Sequence, residues 1–325
     1  MELICKVTRG NLLESMHIVY GIAIDGDGNK ILEIGNSDYV TCIRSAFKPF
    51  QAATSVMAGA VDAAGFSEDE LALMCASHSG DDIHVKTARS MINKLGYDLS
   101  FYECGTHQPY DVESRQKIIK EDTEIEPYHN NCSGKHAGML ALVKHIGADP
   151  KGYTLPEHPV QKLILENARR YTGLEDIPIS IDGCSAVAPF FSLRTIAELF
   201  QLLVNGEHDE LERCFKAMAK FPHNIGGKGR FDTDFNKVLN GRGITKIGGE
   251  AIRGVGIKTE KYGDVGIAVK VLDGSMRCLP QVTLEIMNKL ELLSEKENEM
   301  LSKWKDEKRL NHRKIHVGDR RIIWE

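Results

Sequence analysis

The chain has 325 residues and a mass of 36.2 kDa, with 42% hydrophobic and 27% charged residues, a composition that buries a sizeable core and excludes overall disorder. Its 41 Lys and Arg stand against 46 Asp and Glu, a net charge of −5 with a pI near 6.2. No segment concentrates the basic charge that holds a polyphosphate backbone, so nucleic acid is excluded as a partner. The first residues, Met1 to Lys6, are charged, and no apolar run approaches the roughly 18 residues a membrane span needs, which predicts a soluble, cytoplasmic protein with no membrane partner.

The chain opens on strand patterns over Glu2 to Thr8 and His17 to Ile24; the turn Asp25-Gly26-Asp27-Gly28-Asn29 then leads into Lys30 to Ile34. After Tyr39 to Ile43 the period lengthens. A helix is expected from Ser45 into Ala60, with Pro49 in its first turn, where a missing donor costs least. Helical patterns follow over Leu71 to Met74 behind the capping box Ser67-Glu68-Asp69-Glu70, then Asp82 to Leu95 and Gly134 to Ile146, which ends at Gly147. Glu157 to Tyr171, Ser192 to Val204 and Asp209 to Phe221 add three more. Strand character returns at Ala251 to Lys258 and Val265 to Leu272 around the hairpin signal Tyr262-Gly263-Asp264, before a charged helix from Gln281 to about Trp304. The tail from His312 to Glu325 reads as a last strand or an oligomer contact.

The pattern predicts an α/β fold: an antiparallel sheet built from N- and C-terminal segments, about 1–44 and 245–325, flanked by helices, with a helical insertion over about 45–244. The expected functional site is the crevice between the two. No repeat or linker divides the chain, so it reads as a single unit. Its eight cysteines are widely spaced and form no C-x-x-C pair, so they read as thiols; any metal site must be assembled from distant segments.

Five segments carry residues suited to chemistry. Arg44-Ser45-Ala46-Phe47-Lys48 is an S-x-x-K at a helix start, which puts a hydroxyl and an amine on one face, so that a neutral Lys48 can take the Ser45 proton. The same pattern arises by chance with Ser45 only an N-cap and Lys48 only solvated. Cys75-Ala76-Ser77-His78-Ser79-Gly80 suits a loop whose backbone approaches a ligand, or a helix end capped by Ser77 and His78. In Asn131-Cys132-Ser133-Gly134-Lys135-His136, spacing places Cys132 and His136 on one helix face with Lys135 beside them, and coordination chemistry prefers His136 as the second zinc ligand. Cys184, in Asp182-Gly183-Cys184, follows a strand and can supply a thiolate from across the crevice; the plain alternative is buried, inert cysteine. Finally, Lys258-Thr259 on a C-terminal strand matches the second lysine of active-site serine acylases.

Together with Glu14-Ser15-Met16-His17, Cys104-Gly105-Thr106-His107-Gln108-Pro109, His158-Pro159-Val160-Gln161, Gly229-Arg230-Phe231-Asp232-Thr233 and Asp273-Gly274, these segments resemble the zinc-containing L-asparaginases of the asparaginase II family. That family has a fold akin to serine β-lactamases and class A glutaminases and is distinct from asparaginases with a threonine nucleophile. The resemblance implies Ser45 as acylated nucleophile with Lys48 as its base, Ser77 and Lys258 as a second Ser-Lys pair, and Zn²⁺ on Cys132, Lys135 and Cys184, overruling the preference for His136. A lysine ligand must lose its proton, which a divalent cation beside it promotes. One departure stands out: the family favours proline directly after Ala186, where this chain has Val187 and places Pro189 two residues later.

The activity implied is hydrolysis of the L-asparagine side-chain amide to L-aspartate and ammonia by a homodimer. Recognition of the amino-acid head group needs partners for a carboxylate and an ammonium; Arg44 or His136 fits the first and Asp182 the second, with His78 in the same pocket. The rival readings are a glutaminase or β-lactam-type acylase on the same scaffold, a non-catalytic zinc-binding sensor, and a zinc hydrolase that uses His136 as ligand.

Overall fold

A computed structural model describes residues 1–305 and 307–325. Its strands are β1 (Leu3–Arg9), β2 (Leu12–Ile24), β3 (Lys30–Ile34), β4 (Val40–Cys42), β5 (Ile179–Ile181), β6 (Val187–Ser192), β7 (Gly243–Gly248), β8 (Ile252–Thr259), β9 (Gly263–Val271), β10 (Lys308–Leu310) and β11 (His316–Trp324). The main sheet runs β10-β11-β1-β2-β9-β8-β7 with β3 attached to β2, and its pairings are antiparallel. The two ends of the chain meet in it: Leu3 lies opposite Trp324 and Val7 opposite Arg320. The tail is thus a strand in its own sheet, and the fold is the α/β arrangement expected, an antiparallel sheet made from both termini. β4, β6 and β5 form a separate small sheet, two strands of which fall inside the mainly helical span.

The helices are α1 (Lys48–Met57), α2 (Ala60–Ala63), α3 (Glu68–Met74), α4 (Asp82–Leu95), α5 (Val112–Glu121), α6 (Ser133–Ile146), α7 (Pro159–Thr172), α8 (Leu193–Asn205), α9 (Asp209–Lys220), α10 (Pro222–Gly226), α11 (Phe231–Leu239), α12 (Leu279–Lys289) and α13 (Glu295–Met300). They cover both faces of the sheet. Along β2, Ile22 and Ile24 enter the core shared with α1, α3, α6 and α8, while Val19 and Ala23 enter a second core with α11 and α12. This is the two-residue alternation of a strand with both faces covered. Close packing of α8 on β9 requires glycine: a Cβ on Gly266 would come within 2.0 Å of the Ala197 carbonyl oxygen.

Two helix boundaries differ from the sequence pattern. Ser45 does not open an α-helix: Arg44–Phe47 is a 3-10 turn, Arg44 has φ +47°, and α1 runs from Lys48 only to Met57. The charged C-terminal helix is broken, because Glu291 turns left-handed (φ +58°) and Ser294 with Glu297 forms a new capping box that starts α13. Among the described residues, no helix is long and apolar enough to cross a membrane.

Candidate active site

Ser45 sits in the 3-10 turn between β4 and α1, and the apolar residues that follow it fix its position. Phe47 and Phe50 stack with ring centroids 5.7 Å apart, and Phe50 meets Phe200 of α8 edge-on at 5.8 Å. On the other side, the end of β7 runs directly against the turn. A Cβ on Gly248 would lie 2.5 Å from the Ile43 carbonyl oxygen, so that position must be glycine for the strand to approach, and one on Gly249 would lie 2.4 Å from the movable end of Arg44. Ser45 caps nothing: the turn's N-cap is Ile43, and among the described residues the Ser45 hydroxyl makes no hydrogen bond. It is a partly exposed, uncommitted hydroxyl.

Lys48 is buried. Its Nζ reaches the Ala76 carbonyl at 2.6 Å, Ser77 Oγ at 3.0 Å and the Asn131 carbonyl at 3.2 Å. Ser77 is held by its own N–H, which donates to the Ile225 carbonyl at 3.0 Å. On its other side Lys246 Nζ, with no solvent exposure, lies 2.9 Å from Ser77 Oγ and 3.0 Å from the Ile247 carbonyl. One hydroxyl thus bridges two buried amines. Burial pushes Lys246 down to about 7; Asp232, 3.9 Å away, opposes this, while the charges of Lys48, Arg230 and Arg253 reinforce it. Asp232 is already committed to Arg253 at 2.6 Å and to the Ile247 N–H at 2.9 Å, so it compensates Lys246 only in part.

The strand lysine that lies against Ser77 is Lys246, and Lys258, expected there, lies elsewhere. Lys246 lies opposite Gly254 in the β7–β8 register, whereas Lys258 lies opposite Asp264 at the far end of β8. Four residues of strand put that end about 13 Å away, and there the Lys258 Nζ sits 5.5 Å from the centre of the Phe215 ring. A signal for Lys246 was present in the sequence: a lysine inside an apolar strand, Gly243-Ile244-Thr245-Lys246-Ile247, ahead of the paired glycines that bring it to Ser45.

The head-group candidates are largely spoken for. Arg44 Nε donates to Asp182 Oδ1 at 2.9 Å and a second guanidinium nitrogen lies 2.8 Å from the same oxygen, with Glu250 at 3.6 Å, so the residues chosen for opposite ends of a substrate pair with each other. His78 is fully buried: Nδ1 accepts from the Gly80 N–H at 3.1 Å, Nε2 donates to Ser133 Oγ at 2.9 Å, and burial holds the ring neutral. It braces the loop and has no free nitrogen for a ligand. His136 is also fully buried, with Nδ1 2.7 Å from the Tyr153 hydroxyl. A residue missed by the pattern is Arg230, at the N-cap of α11, which lines a cavity of about 290 Å³ together with Ser77, Asp232, Ile247 and Arg253. Its guanidinium lies over Tyr110 at 5.8 Å and makes no ion pair among the described residues.

Cys132, Lys135 and Cys184 come together at the start of α6, although Cys184 is brought from the loop between β5 and β6. Lys135 Nζ lies 2.9 Å from Cys184 Sγ, and the Cys132 thiol, which donates to Asn131 Oδ1 at 3.3 Å, neighbours it. The neighbouring Cys132 side chain and the Lys135 charge hold the Cys184 thiol below its ordinary range against the effect of burial. His136 faces the same sulfur, and its Nε2 is a buried ring nitrogen with no hydrogen-bond partner. Two thiols and an amine form a nitrogen–sulfur donor set of the kind zinc takes, with the unpartnered His136 nitrogen close by, so the residue types fit that ion.

The family profile described as L-asparaginase II matches residues 5–322, and the chain belongs to that family. No curated protein matches it. Among solved structures, Mglu in its native form in 4.3 M NaCl is similar at 14% identity over 85% of this chain and 61% of that one, with a TM-score of 0.37. A second Mglu structure, in its glutamate form, gives 13% identity, 84% and 61% coverage and a TM-score of 0.35. The chain spans about three fifths of the length of these structures.

Proposed function

We propose that the protein hydrolyses the side-chain amide of L-asparagine to L-aspartate and ammonia through an acyl-enzyme on Ser45. The observation that carries this reading is the Ser77 hydroxyl held between two buried amines, one of them close to neutral at physiological pH. Neutral Lys246 accepts the Ser77 proton while Ser77 takes one from Lys48, and Lys48, now neutral, takes the proton of Ser45. The Ser45 oxygen bonds to the amide carbon; the Ser45 N–H, which has no backbone partner among the described residues, is a donor to the oxyanion. The C–N bond then breaks as the relay returns a proton to the leaving nitrogen. Water attacks the ester, gives its proton to the same relay, and leaves aspartate and a restored Ser45 hydroxyl.

Arg230 is the guanidinium best placed for the substrate carboxylate, because the Arg44 charge is already answered by Asp182. Cys132, Lys135 and Cys184 would hold zinc, which supplies a fixed positive charge that orders the pocket wall; no proton or bond of the reaction passes through it. The proposal extends to a cytoplasmic homodimer with a small amino-acid substrate.

Ser45→Ala is expected to abolish ammonia release from L-asparagine with the fold intact, as followed by circular dichroism. Faster ammonia release from L-glutamine at equal concentration would assign a glutaminase instead, and a penicillin hydrolysed faster than either would assign a β-lactam acylase. Full activity in Ser45→Ala, lost on chelation, would assign a zinc hydrolase, and no turnover of any of these a sensor. A second reading, with Ser77 as nucleophile, is favoured by its two lysine contacts. Quenching the enzyme during turnover and locating the added aspartyl mass on the peptide carrying Ser45 or on that carrying Ser77 decides between the two.

A further inference from the structure

Behind the loop that carries Ser77, three imidazoles stack: His78 on His84 at 4.8 Å and His84 on His223 at 5.1 Å between ring centroids. His84 and His223 belong to a cluster separate from the thiols. Asp81 is the N-cap of α4, His84 lies in its first turn and His223 is in α10, and one donor atom from each lies within 4.8 Å of the others. Among the described residues this is the one such group of three His, Cys, Asp or Glu donors.

The hydrogen bonds fix what the cluster lacks. His84 Nε2 lies 3.0 Å from the His223 carbonyl, which can only accept, so Nε2 carries the proton. The Asp81 N–H points at His84 Nδ1 from 3.3 Å, as it would toward a lone pair. Yet the same Nδ1 lies only 2.7 Å from Asp81 Oδ1, and the other carboxylate oxygen lies 2.8 Å from His223 Nε2. A lone pair facing a carboxylate at that distance repels it, so a positive charge lies between them, either the proton of an imidazolium or a metal ion. His84 is wholly buried, whereas the His223 side chain is 38% exposed and leaves the cluster open on one side.

We propose that Asp81, His84 and His223 bind a divalent cation of the zinc class at a site separate from the thiol cluster. Two imidazoles and a carboxylate are a sufficient protein ligand set for such an ion, with the open side left for water. The bond from His84 Nε2–H to a backbone carbonyl is the outer contact that orients a metal-bound imidazole. Tetrahedral ligation at about 2.0–2.2 Å sets donors about 3.3 Å apart, so the carboxylate has to withdraw by roughly half an ångström from each ring.

The ion would join α10 to the start of α4, and this has a consequence for the reaction. α10 supplies the Ile225 carbonyl that holds the Ser77 N–H at 3.0 Å and the Gly226 carbonyl that holds Ser79 Oγ at 2.5 Å. Asp81 and His223 are thus positioning residues for Ser77, acting through the carbonyls of α10.

The test uses the full-length chain stripped with chelator, reloaded with Zn²⁺ and desalted. Elemental analysis is expected to find one equivalent of zinc fewer in His223→Ala than in the wild type. Cys184→Ser should retain the equivalent that His223→Ala loses, together with a zinc-dependent rise in Tm of several degrees. His223→Asn, which keeps the α10 backbone and a polar side chain, serves if the alanine variant does not fold. With Co²⁺ in Cys184→Ser, d–d bands should appear without thiolate charge-transfer bands and should vanish when His223→Ala is added. Equal zinc content and equal Tm response in wild type and both His223 variants would overturn the site, whatever the activity on asparagine proves to be.

Discussion

Lys246 and Lys135 are both buried lysines close to candidate reactive groups, and their amines are driven in opposite directions. Burial opposes charge in both. Lys246 falls to about 7 because its carboxylate neighbour, Asp232 at 3.9 Å, already serves Arg253, while further positive charges stand nearby. Lys135 rises instead: burial would lower it, but the Cys184 sulfur at 2.9 Å, with Cys132 behind it, outweighs that cost. Burial sets a common penalty, and the nearest uncommitted anion decides the sign. One region is therefore arranged to move a proton, and the other to keep its charges in place until a metal displaces a proton.

The sharpest way to break this contrast is to delete each amine in turn. Lys246→Ala is expected to lower kcat/KM for asparagine by roughly 10²–10⁴-fold, the usual worth of a positioned acid–base group, with zinc content unchanged by elemental analysis. Lys135→Met is expected to do the reverse. It leaves the Cys184 sulfur buried without its cation, a loss of about 3–5 kcal/mol by urea unfolding, and the thiol-bound zinc equivalent disappears. If Lys135→Met left stability and zinc untouched while Lys246→Ala lost zinc, the two assignments would have to be exchanged.

A finer measurement is the pH profile. Because the relay needs Lys246 neutral, kcat/KM should climb as pH rises through about 7. Arg230 is one of the charges that depress Lys246. Arg230→Gln should therefore move this acid limb to higher pH, by less than about one unit, and also raise KM through loss of the carboxylate partner. An unshifted limb with raised KM would keep Arg230 as a binding group and remove it from the electrostatics of the relay.

The sequence made the local architecture readable wherever a single segment carries its own signal. Asp82–Leu95 carries helical spacing and Ser67 with Glu70 marks the start of α3, and these helices stand where expected. The convergence of Cys132, Lys135 and Cys184 was implied by family likeness alone, since spacing preferred His136; the structure places all four side chains together. Pairings between distant segments were not readable. Lys258 was preferred because Lys-Thr has a familiar pattern, yet the strand register decides which lysine reaches Ser77, and register depends on the β7–β8 pairing. Arg44 and Asp182, assigned to a substrate, meet across 138 residues of chain and satisfy each other. The His84–His223 stack likewise needs α10 laid against α4, which neither segment announces.

The smallest expected effect is the most direct test of that register. Lys258 is partly exposed, near the end of β8, with its amine against the face of Phe215. Such a contact contributes about 0.5–1 kcal/mol, so Lys258→Gln should shift the unfolding midpoint slightly and change kcat/KM by less than about twofold, a factor worth only ~0.4 kcal/mol. Measured beside Lys246→Ala under the same conditions, it separates the two lysines without reference to any structure. A hundredfold loss in Lys258→Gln would mean that β7 and β8 pair differently in the working enzyme and that the amine next to Ser77 belongs to the other strand. A near-silent Lys258→Gln beside an inactive Lys246→Ala is the outcome the observed register requires, because that register sets Lys246 opposite Gly254 and against Ser77 and carries Lys258 to the far end of β8.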